Sequence, residues 1–143
     1  MNAAVRYQSR GGNTRAVAKI IAEVLGVEAH SISEQLDGKI DLLVLGGGVY
    51  AWNADKELLE YLKHIDKTGI MKIAPFSTTG AMAVAIKRIQ EGAAKAEIPI
   101  TEQSLCLKIR LQGHAALGRE GGHLTLEQIG TVREFAESLK EIS

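Results

Sequence analysis

Residues 9–14 read Ser9-Arg10-Gly11-Gly12-Asn13-Thr14, between a short apolar run and an amphipathic one. Those residue types at that spacing suit an anion. Gly11 and Gly12 let backbone amides turn inward with no Cβ in the way. A helix starting near Asn13 aims its first-turn amides and the positive end of its dipole at the same point. Ser9 and Thr14 add hydroxyl donors and Asn13 an amide. The run lacks the Gly-Lys-Ser/Thr ending of a triphosphate loop, and its glycines are adjacent rather than spaced as G-x-G-x-x-G. A plain strand-to-helix turn capped by Asn13 accounts for the same residues equally well.

Two further stretches carry residues of interest. "GGGVYAWNAD" (46–55) holds Tyr50, Trp52 and Asn53, and Trp52 is the only tryptophan of the chain. A flat ring in a glycine-rich loop suits stacking on a flat ligand. Covering the core or a helix end is the commoner use of such a residue. "STTGAM" (77–82) offers the hydroxyls of Thr78 and Thr79 and the amide of Gly80 to the polar edge of a ligand. It also reads as an ordinary cap for a helix starting at Gly80.

These stretches need elements to hold them. Strand character runs through 2–9, with Val5 and Tyr7 on one face. Val17, Ile20, Ile21, Val24 and Leu25 recur at helical spacing within 13–26, and Gly26 is a natural stop. Residues 27–33 read as a short strand near a sheet edge, and 33–39 as a turn or brief helix. Leu42 to Leu45 form a continuous apolar run inside 40–50, as in a parallel strand covered on both faces. A helix follows over 54–65, with Leu58, Leu59, Leu62 and Ile65 as its buried stripe. Residues 72–80 form another strand, in which Pro75 removes one ladder donor and predicts a bulge or an early end to pairing.

A helix over 81–96 is weakened by Gly92. A fifth strand spans 103–109, with Cys106 read as a buried structural thiol. Residues 111–124 are glycine-rich and irregular. Thr125 and Gln128 then form a capping box for a last helix.

Strands and helices mostly alternate, which means a parallel sheet with helices on both faces. With right-handed crossovers the simplest arrangement is a three-layer, doubly wound α/β fold, five parallel strands in the order 2-1-3-4-5, in one domain over 1–143. Ligands bind such sheets at the carboxyl ends of the strands, where the order reverses between strands 1 and 3. All three stretches leave strands at that end.

Composition removes other classes. Lys and Arg number 17, as do Asp and Glu, so the formal net charge is zero. Without a basic excess, phosphate neutralisation cannot drive nucleic-acid binding, and no basic face attracts an anionic membrane. One cysteine permits no intrachain disulfide and fits a reducing compartment. With no leader-like start and no apolar run of membrane-spanning length, a cytoplasmic protein is expected. His30, His64, His114 and His123 lack the spacing of a metal site.

The chain resembles the short-chain flavodoxins. Their phosphate loop has the form [ST]-x-T-G-N-T after strand 1, and here it reads Ser9-Arg10-Gly11-Gly12-Asn13-Thr14. The strand spacing, the aromatic loop after strand 3, the glycine-containing loop after strand 4 and the stretch from Leu105 to Leu139 agree as well. The resemblance implies flavin mononucleotide (FMN) as cofactor and electron transfer as its use. It implies that residues 9–14 hold the 5′-phosphate, that Tyr50 and Trp52 flank the isoalloxazine with Asn53 in the same loop, and that Thr78, Thr79 and Gly80 meet its pyrimidine edge.

Two departures stand out. Gly11 replaces a Thr, removing one hydroxyl donor, and the chain is neutral where electron-carrier flavodoxins are acidic. Three functions are therefore compared: an electron carrier acting between redox partner proteins, a small FMN-dependent NAD(P)H:quinone-type oxidoreductase working on small-molecule acceptors, and a flavin-free binding module.

Overall fold

The computed structural model describes residues 1–8, 12–36, 38–50, 53–54, 56–65, 68–79, 84–108 and 124–142. Five strands are parallel: β1 (Ala3–Tyr7), β2 (Ala29–Ser31), β3 (Leu42–Tyr50), β5 (Ile73–Thr79) and β6 (Leu105–Lys108). They lie in the order β2-β1-β3-β5-β6. Among parallel strands alone this is the expected 2-1-3-4-5. The two-residue β4 (Asn53–Ala54) turns back antiparallel on the end of β3. Among the described residues four helices flank the sheet: α1 (Asn13–Leu25), α2 (Lys56–Lys63), α3 (Val84–Lys95) and α4 (Leu126–Lys140).

The apolar pattern explains the layers. Val17, Ala18, Ile21 and Ala22 of α1 and Val132, Phe135, Ala136 and Leu139 of α4 pack on Val5, Leu42, Val44, Ala74 and Phe76. Leu58 and Leu62 of α2 and Ala85, Ile89 and Ala93 of α3 cover Leu43, Leu45 and Ile73 on the other face. The run Leu42–Leu45 is thus buried on both sides, as a central parallel strand requires. Gly26 ends α1 in a left-handed conformation, its amide donating to the carbonyls of Ala22 and Glu23. Thr125 and Gln128 form the expected reciprocal capping box on α4.

Two expectations change, and two take a definite form. Gly46, Gly47 and Gly48 lie inside β3 rather than in the loop after it, paired in register with Phe76, Ser77 and Thr78. At Gly46 and Gly47, neighbours occupy the space of a Cβ. An added Cβ would fall 2.2 Å from the Phe76 ring at Gly46 and 2.7 Å from Leu58 at Gly47.

Pro75 does not interrupt β5, which stays in register with β3 through Leu45. Ile73 exchanges both its backbone bonds with residues 99 and 101, so Pro75, two positions on, also turns its backbone nitrogen toward β6. The break appears there. Residues 73 to 76 are matched by residues 100 to 105 on the β6 side, and the extra length loops out opposite the missing donor.

Cys106 is exposed, not buried. It sits on the edge strand, and α3 packs over β3 and β5 instead.

Finally, of the turn or brief helix expected over 33–39, between β2 and β3, the described residues show a turn and no helix. Arg6, 7% exposed, holds that connection from β1. Its Nε donates to the Glu34 carbonyl at 3.3 Å, its Nη2 to the Gln35 carbonyl at 3.1 Å and its Nη1 to the Val5 carbonyl at 3.1 Å. Ile32 and Leu36 of the same segment pack on the α2–α3 core. Burial raises the Tyr61 phenol above its ordinary value, and the nearby Arg6 charge opposes that rise.

Candidate functional site

β1, β3 and β5 are adjacent, so their carboxyl ends and the stretches that leave them converge at one edge of the sheet. The order reverses there: β1 leads through α1 to β2 on one side, and β3 leads through α2 to β5 on the other. An open α/β sheet binds its ligand at such a crevice. The backbone amide of Gln8, just past β1, donates to the Gly46 carbonyl at 3.0 Å and ties the first stretch to β3.

Gly12 begins α1 with φ 93°, in the left-handed region that favours glycine. As N-cap it supplies no side-chain acceptor, unlike Thr125 at the start of α4. The α1 N-terminus thus keeps the orientation that favours an anion. Thr14, in its first turn, is 2% exposed. Its Oγ1 lies 2.6 Å from Oγ1 of Thr78, at the carboxyl end of β5. The fold therefore joins the first stretch to the third by a hydroxyl pair that spacing along the chain did not announce.

The remaining positions are placed as follows. Gly12, Asn13 and Thr14 open α1, Thr78 and Thr79 end β5, and the backbones of Tyr50 and Asn53 face each other across the β3–β4 hairpin. Ser9, Arg10, Gly11, Trp52 and Gly80, with most of segment 111–124 and its His114 and His123, lie outside the described residues.

Ser77 opens the third stretch, where only Thr78, Thr79 and Gly80 were picked out as ligand contacts. Its hydroxyl is fully buried and has no hydrogen-bond partner among the described residues. The only signal was a serine following the apolar Ile73–Phe76 run, directly before Thr78.

Other concavities do not compete for the role. A cleft of about 810 Å³ lies between α2 and α3 around Leu59, Leu62, Ile65, Arg88 and Lys95. Another of about 590 Å³ lies between segment 32–38 and the end of α2 at Tyr61 and His64. Among the described residues, neither is lined by one from the three converging stretches. Among the described residues no group of His, Cys, Asp and Glu is arranged to hold a metal, and no helix is long and apolar enough to cross a membrane.

A family model described as flavodoxin domain matches residues 4–135. No curated protein sequence matches the chain. Oxidised flavodoxin 2 from Bacillus cereus is similar in structure at a TM-score of 0.75 and 19% identity, over 99% of each chain. A flavodoxin from the domain Archaea gives 0.72 at 18% identity, over 99% of this chain and 100% of that one. A flavoprotein solved in complex with FMN from Lactobacillus acidophilus gives 0.59 at 15% identity, over 74% of this chain and 92% of that one. At these identities the structural likeness establishes the fold.

Proposed function

The chain belongs to the flavodoxin-domain family, and we propose that it binds FMN at the carboxyl ends of β1, β3 and β5 and passes electrons between redox partners. The observation that carries this reading is the start of α1. A helix capped by left-handed Gly12, with the Thr14 hydroxyl in its first turn, stands at the switch point of the sheet. These residues fit a phosphate monoester better than a longer anion. The loop has neither the Lys of a triphosphate site nor the glycine spacing of a dinucleotide site.

Under this reading Ser9, Arg10, Gly11, Gly12, Asn13 and Thr14 hold the phosphate. Tyr50 and Trp52 provide flat surfaces for the isoalloxazine, with Asn53 beside them. The β5 end, with Thr79 and Gly80, supplies polar groups toward the ring edge. FMN when bound supplies the electron-accepting chemistry. The chain's own part is to position it, to limit water and to tune it through stacking and hydrogen bonds. With zero net charge, the chain docks a partner through shape and apolar contact more than through long-range steering.

The test is direct. Purified chain carries a yellow flavin or quenches the fluorescence of added FMN, and Trp52→Ala weakens binding and shifts the potential. A colourless chain that leaves FMN fluorescence unchanged sinks the flavin reading. Sustained NADPH oxidation with a quinone acceptor replaces the carrier by a reductase.

A further inference from the structure

We infer that Thr78 is a positioning residue for the phosphate group, acting through Thr14. The inference rests on the FMN reading above. The two Oγ1 atoms are 2.6 Å apart, 64 residues apart in sequence, on the first turn of α1 and the last turn-out of β5. Two hydroxyls bring two protons to this pair. One proton lies between the oxygens, and the other must be donated outward.

Thr14 is 2% exposed, so few alternatives exist for its hydroxyl. When a phosphate oxygen accepts a hydrogen bond from the Thr14 hydroxyl, Thr78 must point its own O–H at the Thr14 oxygen. A hydroxyl that accepts one hydrogen bond is a stronger donor in the next. Thr78 thus fixes the direction of the Thr14 hydroxyl and strengthens its donation without touching the ligand. Thr78 is thereby engaged on the α1 side of β5, toward the phosphate end of the site. The odd-numbered Ile73 faces the opposite core, with α2 and α3.

The experiment compares FMN with riboflavin, which lacks the phosphate, in the full chain by flavin fluorescence. Thr78→Val is expected to weaken FMN about tenfold, the lower end of what a hydrogen bond to a charged group is worth, with riboflavin binding unchanged. Thr78→Ser restores FMN binding, because it keeps the hydroxyl. Thr14→Val combined with Thr78→Val is no weaker than Thr14→Val alone, since Thr78 acts only through Thr14.

Equal weakening of both flavins, or additive losses in the double variant, overturns the inference and makes the pair a structural staple. Unchanged FMN binding in Thr78→Val overturns it as well. Wild-type chain that binds neither flavin overturns the flavin reading itself, and this inference with it.

Discussion

Gly46 and Phe76 face each other across the β3–β5 ladder, and the Phe76 ring occupies the space where a Gly46 side chain would begin. An added Cβ would lie 2.2 Å from two ring carbons, and Phe76 is fully buried. The ring has nowhere to retreat in a close-packed core. Gly46→Ala is therefore expected to destabilise by about 3 kcal/mol, the upper part of the range for overpacking, measured by denaturant unfolding. Combining it with Phe76→Leu should cost less than the sum of the two single changes. Additive costs would show that the ring does not set the requirement for glycine.

Gly92→Ala sets two effects of opposite sign against each other. Alanine in mid-helix gains about 1 kcal/mol over glycine from backbone propensity. Here the new Cβ would lie 2.9 Å from the Cβ of Leu62, and both neighbouring Leu62 carbons are within 3.2 Å. A Cβ cannot swing aside as a side-chain tip can, so α2 and α3 must move apart. Net destabilisation of about 1 kcal/mol is expected. A more stable Gly92→Ala variant would mean that the helices separate freely.

These two glycines also mark what was legible in the sequence. Local rules spoke clearly where the cause was local. The apolar spacing of α1, Gly26 at its end and the Thr125–Gln128 box depend on residues within one or two turns of each other. The alternation of elements was enough for the strand order, because right-handed crossovers admit few arrangements. The glycine run of β3 misled because its cause is distant: Phe76 and Leu58 dictate it, and only the folded register brings them there. Cys106 misled because an apolar neighbourhood in sequence does not reveal an uncovered edge. The three stretches of the candidate site were recognisable from glycines, hydroxyls and aromatics. The Thr14–Thr78 pair was not, since no local pattern links residues so far apart.

Arg6 holds the connection between β2 and β3 with hydrogen bonds. It carries three carbonyl bonds from a buried position, two of them to the segment between β2 and β3. Arg6→Met keeps the apolar stem and removes the donors, and should destabilise by about 2 kcal/mol. Arg6→Lys should rescue little, because an ammonium cannot span the three acceptors as the guanidinium does.

A second readout is the Tyr61 phenol, which burial already raises and Arg6 pulls back down. Its alkaline absorbance change should move to still higher pH in Arg6→Met. The folded state holds this proton more tightly than the unfolded chain. The stability it contributes is therefore present below the unfolded value of 10.0 and is lost as pH rises through the higher folded value. An unmoved tyrosine titration would separate Arg6 from Tyr61.

Ser77 offers the opposite kind of test, a deletion expected to help. Its hydroxyl is fully buried without a partner among the described residues. A buried, unsatisfied polar group costs about 1–3 kcal/mol of desolvation. Removing the oxygen leaves only a small void, because alanine keeps the Cβ and the strand backbone is unchanged. Ser77→Ala is therefore expected to stabilise by about 1 kcal/mol, raising Tm by roughly 2–4 °C in a domain of this size. The site next door supplies the counter-argument: Thr78 is already engaged with Thr14, while the neighbouring Ser77 hydroxyl has no partner among the described residues. Measured with and without FMN, Ser77→Ala separates the two roles. A gain in the free chain with unchanged FMN affinity marks a plain core defect. A loss of FMN affinity, in a chain that is otherwise more stable, marks a hydroxyl kept for the bound state at a cost to the free one.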